Sequence, residues 1–222
     1  MKTLVDKVSH SKMLIESSLK EYAQTAVFVS FGKDSMVVLH LARRIDPLVK
    51  VVSVMTKFKP PETFQYKDEM KKKWNLNLQV YQSDVEVPIE MAFSNPDECC
   101  RILKVEPTKE AIKDLDAWIT GLRRTEGRTR TDYLEVEPGL HPDTGKDIIK
   151  VNPILDWTET DIWKYMAVNS IPVHPWYAKG YRSLGCYPCT SLTDDKDTER
   201  AGRWNGTSKC GGECGIHTMF KK

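Results

Sequence analysis

Short apolar runs alternate with polar-punctuated helical stretches, and that rhythm narrows the folds open to this chain. Ala26-Val27-Phe28-Val29 is a four-residue apolar run of strand type. It ends in Ser30-Phe31-Gly32-Lys33-Asp34-Ser35, after which Met36-Val37-Val38-Leu39-His40-Leu41 has helical apolar density. A second strand is expected over Lys50–Met55, a helix over Glu62–Trp74 introduced by Pro60-Pro61, and a third strand over Leu78–Tyr81. Leu115–Thr120 and Ile148–Val151 complete the strand set, and Val8–Tyr22 gives an amphipathic helix ahead of it. Strands alternating with helices imply right-handed crossovers and an α/β fold, a parallel twisted sheet flanked by helices with ligand at the strand C-terminal ends. From Ile171 onward the chain becomes loop-rich, so a body of 1–205 and a mobile tail of 206–222 are expected.

The turn after the first strand has the makings of an anion cradle. A helix N-terminus offers unpaired N–H groups and partial positive charge. Ser30 and Ser35 add hydroxyls, Gly32 allows close approach, Asp34 caps, and Lys33 adds a full charge. The Walker pattern is absent, and an ordinary strand-to-helix turn is the bland alternative. A second candidate lies in the glycine-punctuated stretch Gly121–Arg130, where Arg123 and Arg124 follow a strand.

Charge and composition exclude more than they identify. A net charge of +2 gives no bulk argument for nucleic acid. No apolar run approaches the roughly 18 residues of a membrane span, and the first twenty residues lack a signal-peptide core. A cytoplasmic location is therefore expected, where six cysteines point to metal or redox chemistry before disulfides. Cys186-Tyr187-Pro188-Cys189 has the spacing that brings two thiolates to one metal centre from a tight loop. Cys99 and Cys100 are adjacent, and successive side chains diverge, so they share a centre only with unusual backbone geometry. Four soft ligands in two pairs suit a 4Fe–4S cluster or tetrahedral zinc, and spacing alone does not separate them.

Lys209-Cys210-Gly211-Gly212-Glu213-Cys214-Gly215-Ile216-His217 makes a poor core segment and a poor linker. A thiol on a glycine-flanked tail can swing into a cleft, and it reacts as the thiolate. A stray thiol or half of a zinc site is the alternative.

Taken together, these motifs resemble the assimilatory adenylyl-sulfate and phosphoadenylyl-sulfate reductases, within the PP-loop adenine nucleotide α-hydrolase-like superfamily. The matching segments are the first turn, Pro61-Glu62-Thr63-Phe64, Cys99–Pro107, Trp118–Arg124, Asn152–Trp157, His174-Pro175, Gly180-Tyr181, Glu199-Arg200 with Arg203-Trp204, and Glu213–His217. The four paired cysteines look like the iron–sulfur branch of the family. The resemblance implies that Cys214 attacks the sulfo group of adenylyl sulfate, forms an S-sulfocysteine and releases AMP, and that a thioredoxin- or glutaredoxin-like thiol donor then displaces sulfite. A thiolate approaching a sulfo group about 4 Å away is repelled by about 4 kcal/mol at an effective dielectric near 20. Arg123, Arg124, Arg200 and Arg203 are the candidates to cancel that, with Lys104 between cluster and substrate and His217 steadying the thiolate region. The cluster is expected to be structural or electrostatic, since a thiol pair accounts for both electrons. Two departures stand out: Phe31 replaces a usual glycine, and Met55-Thr56-Lys57-Phe58 stands where many relatives have Asp-Thr-Gly. Phosphoadenylyl sulfate as substrate, and a non-catalytic zinc-binding module, are the alternatives. A homo-oligomer and the role of Cys210 stay open.

Overall fold

The computed structural model describes residues 2–194, 196–210 and 212–219. Gly211, inside the terminal cysteine stretch, and the side chain of Arg128 lie outside the described residues. Six strands form one sheet: β1 (Thr25–Phe28), β2 (Lys50–Val54), β3 (Leu78–Tyr81), β4 (Ala117–Ile119), β5 (Val136–Leu140) and β6 (Asp147–Val151). Their order is β3-β2-β1-β4-β6-β5, and β5 alone pairs antiparallel, against β6. The parallel sheet expected from the alternation therefore carries one antiparallel edge strand. That strand contains Pro138 and Gly139, which suit an edge and hide a strand from pattern reading.

The first helix, α1 (Leu4–Glu21), opens on a capping box between Thr3 and Asp6. Then follow α2 (Lys33–Arg43), α3 (Pro61–Lys73), α4 (Met91–Ser94) and α5 (Pro96–Cys100). A π-helical turn, Arg101–Val105, joins α5 to α6 (Glu106–Ile112). Pro107 sits near the start of α6, where its missing N–H is tolerated, so the segment stays helical through it. The remaining helices are α7 (Glu159–Val168), α8 (Pro175–Ala178) and α9 (Gly215–Thr218). No described helix is long and apolar enough to cross a membrane.

One core forms between the sheet and the α1–α2–α7 side, built on Val27, Met36, Leu39, Val51, Ile119, Val151 and Ile162. A second, on the opposite face, gathers Ala26, Val52, Ile112, Leu115, Trp118 and Ile148. A third group lies off the sheet and holds all four paired cysteines with Leu103 and Trp204; Cys214 packs against it. The C-terminal ends of β1, β2 and β4 open toward that third group.

Candidate active site

The first turn is built around a strained residue. Phe31 has a φ of 63°, in the left-handed region where a bulky side chain is costly. Its ring is fully buried and meets Tyr66 edge-on at 6.3 Å. Burying a phenyl ring yields about 1.5–3 kcal/mol, enough to offset a cost of about 1–3. Phe31 thus makes the tight turn that a glycine makes elsewhere.

Helix α2 starts at the cap Gly32. The Lys33 backbone N–H donates to the Tyr177 hydroxyl at 2.8 Å, and the Ser35 hydroxyl donates to the Gly32 carbonyl at 2.9 Å. Gly121, just past β4, lies so near that a Cβ there would come within 2.8 Å of the Ser35 backbone nitrogen. Only glycine lets the end of β4 touch the start of α2, and this contact closes the floor of a cleft.

Ser30, Gly32, Asp34 and Ser35 line that cleft, as do Lys104, Arg200, Arg203, Cys214 and His217. The structure thus brings the first turn and the terminal thiol to one cavity, from positions 184 residues apart at the extremes (Ser30 to Cys214). Three other expected anion binders are elsewhere. Lys33 is buried, with Nζ 2.8 Å from Glu199 and donating to the Arg182 carbonyl at 2.7 Å. Arg123 is buried as well and bridges Asp34 and Glu199, each at 2.6 Å. Burial by itself would lower both pKa values. The nearby carboxylates, Asp34 and Glu199 for both and Glu126 for Arg123, outweigh it and hold both cations above their usual range. Arg124 turns outward to Asp156 and to the carbonyl of Tyr133. Lys33 and Arg123 therefore tie the turn to the Glu199 loop, and Arg124 ties two loops together.

Lys59 and Tyr177, which the sequence did not suggest, also line the cleft, as do Glu126 and Arg130 from the expected Gly121–Arg130 stretch. Arg130 was hidden in an arginine-rich stretch, where nothing distinguishes the inward-facing member. Its guanidinium grips Glu213, Nε to Oε2 at 2.6 Å and Nη2 to Oε1 at 2.9 Å. Arg200 Nη2 adds a third bond to Glu213 Oε1 at 3.0 Å. The backbone N–H of Cys214 donates to the same oxygen at 2.8 Å. Burial raises the Glu213 pKa, but the Arg130 hydrogen bonds and charge prevail and hold it well below the carboxylate range. Beyond it, the Tyr133 hydroxyl donates to the His217 carbonyl at 3.0 Å, and Ile216 and Met219 pack near Trp118. The expected mobile tail is thus laid across the cleft.

Burial, then Arg130 and Lys150, press the His217 pKa well below 6.5, so its imidazole is neutral at pH 7. Its Nδ1 and the Arg203 Nε are buried without a hydrogen-bond partner among the described residues. Buried polar atoms left unpaired cost about 1–3 kcal/mol each, which a bound anion or hydroxyl would recover. Arg203 also donates to the Leu184 carbonyl at 2.8 Å and lies 4.6 Å over the Trp204 ring.

Cys99, Cys100, Cys186 and Cys189 are each 5% exposed and free of disulfides. Cys99 and Cys100 close helix α5 just before the π-helical turn, so the pair sits on ordinary helical backbone and not on the unusual geometry expected for adjacent ligands. Burial, with neighbouring thiols, pushes Cys99 and Cys189 up to about 11. Burial also raises Cys186, but Lys104, Lys59 and the Thr56 hydroxyl at 3.2 Å bring it below its usual value. Among the described residues no three His, Cys, Asp or Glu side chains are closed into a metal-ligating group. The donor set, four buried sulfurs in one packed group, fits a soft metal centre.

The phosphoadenosine phosphosulfate reductase domain profile matches residues 24–192. The chain belongs to that family. This reductase-family chain is 32% identical over 224 residues to an adenosine 5'-phosphosulfate reductase of Oceanobacillus iheyensis, covering 96% of this chain and 90% of the relative. It is 35% identical to one from Rhodococcus erythropolis, over 82% of this chain and 74% of the relative. Among solved structures, a phosphoadenylyl-sulfate reductase from Candida auris in phosphate complex aligns with a TM-score of 0.69 and 21% identity, over 82% and 90% of the two chains. An FMN adenylyltransferase of Candida glabrata aligns at 0.62 and 16%, over 94% and 77%. At such identities these two establish the fold alone. The family member is an oxidoreductase of the sulfonucleotide reductase type with a PP-loop fold.

Proposed function

We propose that this enzyme reduces adenylyl sulfate to sulfite and AMP through an S-sulfocysteine on Cys214. One observation carries the reading: Cys214 shares a cleft with the first turn and with the side chains of Lys104, Arg200 and Arg203. The names of the curated relatives support the substrate. The Cys214 thiolate attacks the sulfo sulfur, the bond from sulfur to the phosphate oxygen breaks, and AMP leaves with that electron pair. A thiolate of a dithiol reductant, of thioredoxin type, then attacks Cys214 Sγ and expels sulfite, and its second thiol resolves the mixed disulfide.

Lys104, Arg200 and Arg203 offset the repulsion between thiolate and sulfo group. Neutral His217 supplies a hydrogen bond instead of a charge. Ser30, Gly32 and Ser35 receive the nucleotide phosphate at the α2 N-terminus. In this reading the reductase body is 1–205 and the tail 206–222 delivers the thiol.

Cys99, Cys100, Cys186 and Cys189 would hold a 4Fe–4S cluster. Consecutive helical residues point about 100° apart, which suits straddling a bulky cluster better than meeting at a single zinc ion. When bound, such a cluster supplies fixed charge and anchors the α5 and Cys186 loops. The test is sulfite release from adenylyl sulfate with reduced thioredoxin, run in competition with phosphoadenylyl sulfate. A higher kcat/KM for adenylyl sulfate is expected; the reverse order would assign the enzyme to the 3′-phosphorylated nucleotide, and no sulfite from either would refute the reading.

A further inference from the structure

We propose that Lys59 is a substrate-positioning residue whose ammonium binds an anionic oxygen of the nucleotide sulfate beside Cys214. The inference rests on the function proposed above and adds to it a residue outside the matched motifs.

Lys59 lines the cleft with Lys104, Arg203 and Cys214. Its side chain is half-buried and makes no hydrogen bond or carboxylate ion pair among the described residues. Four enclosed cations differ: Lys33 holds Glu199, Arg123 holds Asp34, Arg130 holds Glu213 and Lys150 holds Glu137, whereas Lys104 and Arg203, like Lys59, have no carboxylate partner among the described residues. Around Lys59 the charged neighbours are Lys104 and Arg203, with the thiols of Cys186 and Cys214. Cations gathered in one enclosure repel unless an anion joins them, and no carboxylate among the described residues pairs with Lys59.

The backbone beneath this side chain is fixed. The segment follows the C-terminal end of β2, on the sheet edge where α/β folds bind ligands. The Lys59 N–H donates to the Thr56 carbonyl at 3.0 Å, and the Tyr187 N–H donates to the Phe58 carbonyl at 2.7 Å. The Thr56 hydroxyl lies 3.2 Å from Cys186 Sγ, and Pro60-Pro61 stiffens the chain into α3. A long, flexible cationic stem thus rises from a turn stitched to the cysteine loop. That is a geometry for holding a ligand anion in a set position. The competing role is a counter-charge for the cysteine group alone, and it makes a different prediction.

The experiment measures calorimetric Kd for adenylyl sulfate on full-length, metal-loaded Cys214→Ser protein, with and without Lys59→Met or Lys59→Arg. Iron content and the visible spectrum are read on each preparation. Lys59→Met is expected to weaken Kd by roughly tenfold to hundredfold, the range of one charge-assisted contact, and to flatten its dependence on salt. Lys59→Arg is expected to restore Kd to within about threefold, with iron content unchanged in both. An unchanged Kd in Lys59→Met overturns the inference, as does a loss of binding that tracks a loss of iron. If the Cys214→Ser protein with Lys59 intact binds no nucleotide sulfate, the functional reading fails, and this inference with it.

Discussion

Glu213 and Arg130 are joined side-on, carboxylate to guanidinium, by two hydrogen bonds of 2.6 and 2.9 Å, and this pair holds Cys214 at the cleft. Both side chains are 5% exposed. Cys214 is the next residue, and its N–H is held by the same carboxylate. The latch therefore pins a glycine-flanked tail at the cleft, where the proposed reaction needs its nucleophile.

Removing one partner of a buried pair typically costs about 3–5 kcal/mol, and here that cost falls on tail docking before the body. Glu213→Gln is expected to lower kcat/KM by about a hundredfold while leaving the melting transition of the body within a few degrees. Amide hydrogen exchange over residues 212–219 checks the cause: protection should fall there and hold at β1 and β4. Loss of protection across the sheet would contradict a local latch.

Acid should release the tail in two stages. The His217 pKa is lowered from 6.5 by burial, then Arg130 and Lys150. Its contribution to docking is fully present above about pH 6.5 and declines as pH falls toward the folded value. Glu213 is lowered from 4.5, so its contribution persists above that pH and is lost as pH falls through its depressed folded value. Tail protection is expected to decrease between pH 7 and 5, more gently in His217→Asn, and to collapse below about 4. Protection that rises on acidification would reverse the sign.

Lys33 should matter for stability more than for affinity. Its ammonium sits among Glu199, Asp34 and Glu159, with Arg123 completing the network. Lys33→Met strands buried carboxylate charge and is expected to cost about 3–5 kcal/mol in denaturant unfolding, with the KM of the remaining folded protein changed less than about threefold. A tenfold KM change at unchanged stability would return Lys33 to the anion site.

The sheet was legible because strand and helix periodicities alternate cleanly from Ala26 to Val151. β5 was not, since Pro138 and Gly139 break the strand signature at an edge that tolerates them. Around the site, the sequence located the turn, the cysteine pairs and the terminal thiol, each a local motif. Of the cations it named, Lys104, Arg200 and Arg203 line the cleft, while Lys33, Arg123 and Arg124 do not. Lys33 and Arg130 are both basic residues in polar stretches, and only the carboxylates that the fold brings near, Glu199 for one and Glu213 for the other, separate a structural brace from a latch. The adjacency of Cys99 and Cys100 was expected to need unusual backbone, whereas the chain holds the pair on ordinary helix just ahead of the π-helical turn.

The most direct measurement is mass spectrometry of the enzyme mixed with adenylyl sulfate before any reductant is added. One added SO₃ on the peptide carrying Cys214, with one AMP released per chain and neither product in Cys214→Ser, is the expected result. A sulfonate on another cysteine, or sulfite from Cys214→Ser at the native rate once thioredoxin is supplied, would contradict the account.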